Sequence, residues 1–222
     1  MKHLFYSFII LTIILATNIS AQVSLGLFGG VNYADLKSDL DVIESTSMLG
    51  IGGLIEYNLS DELSLVAQPS YLQKGGMQPE SDTQPELIIT TAYFELPLLL
   101  KYKFNYFGAI KPYLIAGPSA GYRLSADMEA TIGMVTVNAD LKEISKDFDF
   151  GITMGAGIEI PLESIFIFVE GRYSLGLIDL HKNGTVYAEG GGTTFPVTFD
   201  DESWYKTKGI QIMGGIKFPI GK

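Results

Sequence analysis

The chain has 222 residues, 25 Asp and Glu against 15 Lys and Arg for a formal net charge of -10, and no cysteine. That length holds one single-core domain or one closed barrel, and the acidic balance excludes phosphate backbones as partners, so no nucleic acid is expected. Without cysteine there is no disulfide staple, thiolate metal site, cysteine nucleophile or acylated lipoprotein cysteine.

Residues 1–21 read as an address rather than as structure. Lys2 gives a positive start, residues 4–16 are mostly apolar, and Ile19-Ser20-Ala21 precedes Gln22, the layout of a cleaved secretory signal peptide. The apolar run is shorter than the roughly 20 residues of a spanning helix, which counts against a single-pass anchor. The mature domain is then 22–222. It holds no long apolar run, so any membrane crossing falls to strands.

Eight segments with a two-residue period follow in chain order. The first opposes Val23, Leu25, Leu27, Val31 and Tyr33 to Ser24, Gly26, Gly30 and Asn32, and the second Ile51, Ile55 and Tyr57 to Glu56 and Asn58. The third sets Leu65, Ala67 and Tyr71 against Ser64, Gln68 and Ser70; the fourth sets Phe94, Leu96, Leu98, Leu100, Tyr102 and Phe104 against positions that include Glu95, Lys101 and Lys103. In the fifth Leu114, Ala116, Ala120, Tyr122 and Leu124 oppose Gly117, Ser119, Gly121 and Arg123, and in the sixth Phe150, Ile152, Met154 and Ile158 oppose Asp149, Thr153 and Glu159. The seventh opposes Ile165, Ile167, Val169 and Tyr173 to Glu170, Arg172 and Ser174, and the last Ile210, Ile212, Ile216 and Phe218 to Gln211 and Lys217.

Period two fits a half-exposed soluble sheet as well as a barrel in lipid. Aromatic placement decides between them. Tyr33, Tyr71, Phe94, Tyr122, Phe148, Phe150 and Tyr173 fall at one end of the segments and Tyr57, Tyr102, Phe104 and Phe218 at the other, as ring amphipathicity selects at the two water boundaries of a bilayer. Connections alternate likewise. Residues 59–62, 105–111 and 161–164 are short links; 34–46, 77–86, 127–146 and 177–204 are long and polar. Short turns inside and long loops outside predict an all-β, up-and-down antiparallel transmembrane barrel of about eight strands in a cell outer membrane, both termini periplasmic. Lys206, Lys208 and Gln73 lie at the upper ends of outward faces, where a polar group costs little.

Pro69, Pro97 and Pro118 interrupt the proposed strands, and local bulges are expected there because proline removes a ladder donor. The three sit in motifs that carry a family likeness: Gly29-Gly30-Val31-Asn32-Tyr33, Gln68-Pro69-Ser70-Tyr71 with Lys74-Gly75, Phe94-Glu95-Leu96-Pro97-Leu98-Leu99-Leu100-Lys101-Tyr102, and Lys111-Pro112-Tyr113-Leu114-Ile115-Ala116-Gly117-Pro118. Together with the closing Gly214-Gly215-Ile216-Lys217-Phe218, the chain from Val23 to Lys222 resembles the PorT-like family of outer-membrane β-barrel proteins. The resemblance implies a barrel and brings no catalytic residues. The name-giving member's association with a secretion and maturation system is the role it suggests.

Candidate chemistry is sparse. Gly117-Pro118-Ser119-Ala120-Gly121 matches the G-x-S-x-G elbow, which needs a strand-to-helix turn, yet here the pentapeptide continues as a strand. His181 with Asp179 and Ser174 is the one arrangement suited to a lipid A-modifying enzyme; the plainer reading is a solvated loop histidine. Asp35, Asp39, Asp41 and Glu44, with Asp200, Asp201 and Glu202, offer hard-cation ligands without the spacing of a calcium loop. Inside the barrel Glu56, Glu95, Glu159 and Glu170 share a compartment with Lys101, Arg123, Arg172 and Lys217, which predicts a polar plug rather than an ion path. No catalytic residue, metal or cofactor is assigned. The expected role is structural or interactive, with outer-membrane lipid, lipopolysaccharide and envelope or secretion-system proteins as partners. A soluble periplasmic lipocalin-like barrel is the remaining alternative, and it would need its apolar faces inward. Asn183-Gly184 signals a tight turn, and with Thr193–Phe199 predicts a hairpin above the membrane offering an edge to a partner strand.

Overall fold

A computed structural model describes residues 23–38, 44–80, 85–104, 109–199 and 205–220. The expected leader, and Asp39, Asp41, Asp200, Asp201 and Glu202, lie outside the described residues.

Period-two sequence becomes antiparallel strand throughout: β1 (Val23–Ser38), β2 (Thr46–Asn58), β3 (Leu63–Ala67), β4 (Ser70–Gln78), β5 (Glu86–Lys103), β6 (Lys111–Ile132), β7 (Val135–Asp140), β8 (Phe148–Leu162), β9 (Ile165–Gly176), β10 (Gly184–Gly190), β11 (Thr193–Phe199) and β12 (Tyr205–Ile220). The described residues thus form twelve strands, not about eight. Eight staves do close a ring: β1 pairs with β2, β2 with both β3 and β4, these with β5, and the ladder continues through β6, β8, β9 and β12 back to β1. β3 and β4 share one stave. The other three strands lie in the long polar connections: β7 in 127–146, and β10 and β11 in 177–204, where a hairpin is expected from the sequence.

Ladder partners fix the stagger. From Leu100 the pairs run through Ala116, Met154, Tyr173, Ile210, Tyr33 and Ser47, and β4 returns the path to β5 near Thr90 rather than to Leu100. Such a displacement is the shear that tilts strands and lets a sheet close without a free edge.

The three prolines behave differently from expectation. Pro69 sits in the break between β3 and β4, which keep one common register against β2 and β5. Pro97 stays paired with Ser119, and Pro118 faces Ile152, while the β5–β6 ladder skips Leu98 and Leu99 without slipping. A missing N–H drops a bond and requires no extra residue, so gaps replace the expected bulges. The ladder's irregularity comes instead at Ala92/Tyr93, opposite Leu124. At the gap the backbones crowd: a Cβ on Gly117 would lie 2.0 Å from the Leu98 carbonyl oxygen.

Large apolar residues of the outward lists are exposed at mid-stave, including Leu27, Ile51, Leu98, Leu114, Met154, Val169 and Ile212, and Val31 is half-buried. Tyr71, Phe94, Tyr122 and Phe148 occupy one cross-strand row, and the Tyr122, Phe148 and Phe150 rings contact one another at 5.3 and 6.4 Å. Tyr102 meets Phe104 edge-on at 5.1 Å at the opposite end. The barrel is thus inverted relative to a soluble one, apolar outside and charged inside, which removes the lipocalin-like geometry.

Candidate functional site

Inward positions of the staves place all eight predicted lumen charges, Glu56, Glu95, Glu159, Glu170, Lys101, Arg123, Arg172 and Lys217, in burial. They do not form one plug but stacked groups. Nearest the short turns, Glu56 is a hub that accepts from Lys101 at 3.2 Å, Lys103 at 3.1 Å and Lys217 at 2.7 Å. Glu159 accepts from Lys101 and from Lys217, the latter at 2.6 Å. Lys103 also donates to Asn58 at 2.7 Å, and the Lys101 ammonium sits 3.9 Å from the centre of the Tyr113 ring.

Above this layer Glu170 pairs with Arg172 two residues along the same strand and accepts from Tyr113 Oη at 2.8 Å and Gln68 at 3.2 Å. Higher again, Lys74 reaches Glu95 at 2.5 Å and Asp149 at 3.1 Å, and Thr207 donates to Asp149 at 2.8 Å. At the long-loop end Arg123 caps the lumen, bonding Asp147 at 2.5 Å and the carbonyls of Lys142, Ser145 and Lys146. Burying these charges costs several kcal/mol per ion unless each is paired, and here each carboxylate meets a cation. In the sequence Lys74 stands out only as part of a motif, because its partner Asp149 lies 75 residues away.

Apolar side chains that the polar-plug expectation omitted fill the rest. Phe28, Leu54, Leu72, Leu99, Phe168 and Met213 belong to one buried cluster, all at inward positions. An eight-stave barrel leaves room for little more than its own side chains, so these groups close the passage.

The long-loop end carries a second construction. Upper β5 and β6 continue beyond the ring and, with β7, β10 and β11, make a five-stranded sheet. One side is apolar: Ala126, Val137, Ala139, Val186 and Ala188 are buried together with Leu141 and Ile144. The hairpin expected over residues 177–204 is present as β10–β11, but its turn is Gly191-Gly192, both at positive φ (60° and 78°), rather than Asn183-Gly184. Two successive positive φ values are what a tight two-residue hairpin link demands, and only glycine supplies them freely.

β11 is the sheet's free edge among the described residues. The two-residue turn makes Gly190 and Thr193 a hydrogen-bonded pair, so Pro196, opposite Tyr187, sits at a non-bonded position with its missing N–H turned to that edge. Such a proline blunts an edge against strand addition.

Ser119 is buried on β6, which runs straight through the G-x-S-x-G pentapeptide. The Ser174 hydroxyl is engaged with Thr153 at 3.1 Å and Gln211 at 3.0 Å. His181 is not a solvated loop residue: it is buried, pairs with Ser145 in an isolated bridge, and donates its backbone N–H to Asp179 at 3.1 Å. Among the described residues no three His, Asp or Glu converge as metal ligands. Glu44 is exposed and bridges Met77 through the backbone.

Among solved structures, the chain is similar to a major outer membrane protein from Thermus thermophilus (10% identity, TM-score 0.55, 91% of this chain and 100% of that one). It is also similar to the outer membrane protein OprG from Pseudomonas aeruginosa (13%, 0.48, 91% and 96%) and the outer membrane protease OmpT from Escherichia coli (10%, 0.40, 92% and 99%). At such identities the likeness is one of fold alone. No curated protein matches. The outer membrane protein beta-barrel domain family matches over residues 18–182. That match spans most of the chain and agrees with a closed ring that is apolar outside and ion-paired within: the chain belongs to this family of outer-membrane β-barrels.

Proposed function

We propose that the protein is a non-enzymatic structural or interaction barrel, seated among outer-membrane lipid and lipopolysaccharide, with both termini periplasmic and its long-loop end outside the cell. The observation that carries this reading is the division of labour along the staves. The lumen is closed by paired charges and an apolar cluster, while the long-loop end invests three extra strands and a core of its own. A sheet with an independent apolar core is a rigid platform for contacts, which a channel or a membrane-bound hydrolase does not require. Envelope or secretion-system proteins are the partners that fit, and the motif likeness to the PorT-like family supports a place beside a secretion apparatus. Lipid A modification finds no support, since the Ser174 hydroxyl is committed to Thr153 and Gln211.

Protein reconstituted in planar bilayers is expected to give no large steady conductance, because Glu56, Glu159 and the three lysines around them span the lumen near the short turns. Wide, stable channels would overturn the reading.

A further inference from the structure

The side of the long-loop sheet opposite its apolar core is exposed at Asp127, Glu129, Asn138, Asp140, Tyr187 and Glu189. At its outward positions stand Glu86, Asp127, Glu129, Asp140 and Glu189, and no Lys or Arg lies on these faces of β5, β6, β7, β10 and β11. Ile88, Glu129, Asn138 and Glu189 share one cross-strand row, and Thr90, Asp127 and Asp140 share the next. Asp127 and Asp140 are direct ladder partners, an arrangement in which like charges destabilise the pair. Lys142 approaches Asp140 to 3.4 Å; Asp127, Glu129 and Glu189 have no ion-pair partner among the described residues. The face is also concave, forming a groove of about 420 Å³ between Ile88 and Thr90 on one side and Tyr187 and Glu189 on the other.

These carboxylates are spread over four strands about 4.8 Å apart, and no three of them converge on a point where a single ion could be ligated. Charge distributed along a groove matches charge distributed along a chain. We propose that this sheet face is the docking surface for an extended Lys/Arg-rich polypeptide segment of a partner protein. The proposal rests on the reading of the long-loop end as an interaction platform and names the chemistry of what it receives. Cationic side chains arriving there relieve the Asp127–Asp140 repulsion, which Lys142 offsets only from the Asp140 side. Tyr187, 65% exposed, offers a ring face to a guanidinium or ammonium. The blunted β11 edge makes the face, rather than strand addition, the mode of capture.

The test uses the full chain folded in nonionic detergent micelles, with a fluorescent Lys/Arg-rich peptide read by anisotropy. Binding at low salt is expected to weaken by about tenfold or more in the triple variant Asp127→Asn/Glu129→Gln/Glu189→Gln. Glu129→Gln alone should fall between the two. A control triple at the short-turn end, Asp61→Asn/Glu62→Gln/Glu163→Gln, removes the same charge and should keep affinity within about twofold. Equal weakening in both triples would reduce the effect to net charge, unchanged binding in the first would remove the site, and displacement by spermine as effective as by unlabelled peptide would make the ligand a small polyamine; each overturns the proposal. Failure of the wild-type protein to bind the peptide defeats this assignment and leaves the non-conducting interaction barrel standing, whereas a wide conductance defeats that broader reading whatever the peptide does.

Discussion

Glu56→Gln is expected to lower folding stability by about 3–5 kcal/mol, the range for removing one partner from a buried ionic network. Glu56 is fully buried and holds three ammonium groups, those of Lys101, Lys103 and Lys217. Neutralising it leaves Glu159 alone to balance Lys101 and Lys217 and leaves Lys103 with the Asn58 amide oxygen. The surviving lysines then repel one another at close range in a poorly solvated lumen. Equilibrium unfolding by guanidinium in lipid vesicles measures the effect, with Glu163→Gln in the exposed short turn as a comparison expected to stay within about 0.5 kcal/mol. Near-equal stability of the two variants would mean that water, rather than Glu56, satisfies the three lysines.

Leu98→Arg tests the opposite surface. Leu98 is 54% exposed at mid-stave, beside the gap that Pro97 and Pro118 leave in the β5–β6 ladder, and no acidic residue lies on that outward row. A guanidinium placed there against hydrocarbon costs roughly 2–4 kcal/mol at the midplane and far less near the rims. The same change at Leu124, above the ring of outward aromatics, should therefore be milder. In a soluble barrel both arginines would sit in water, and both variants would be nearly neutral.

Alternation alone makes the two faces of the staves legible in the sequence. In β5 the stretch from Phe94 to Lys103 separates Leu96, Leu98 and Leu100 from Glu95 and Lys101, and burial follows that division residue by residue. The inward apolar residues are not legible. Phe28, Leu72, Leu99 and Phe168 stand at positions that a polarity pattern assigns to the charged side, and only the narrowness of the lumen explains why they belong there. Which charge meets which is also beyond sequence, because Lys74 and Asp149, or Lys217 and Glu56, are brought together by closure of the ring rather than by proximity along the chain.

Apart from its β10–β11 hairpin, the long-loop sheet escapes a reading of the sequence for a different reason. β7 and β10 each bury few apolar residues, Val137 and Ala139 in one and Val186 and Ala188 in the other, too short a run to stand out from polar loop sequence. The run Gly190-Gly191-Gly192 is the better turn signal than Asn183-Gly184, since it lies between two segments of matching alternation. For the prolines, the rule that each removes a donor is sound. The inference from a missing donor to an inserted residue is not, because a skipped bond leaves the register intact.

Hydrocarbon is what the outward apolar faces touch. The chain has no cysteine, so single cysteines at Leu98, Leu114 and Ile167 can carry nitroxide labels in protein reconstituted into vesicles. High accessibility to dissolved oxygen and low accessibility to a water-soluble nickel chelate at all three positions is the predicted result. Free access by the chelate with little effect of oxygen would contradict it.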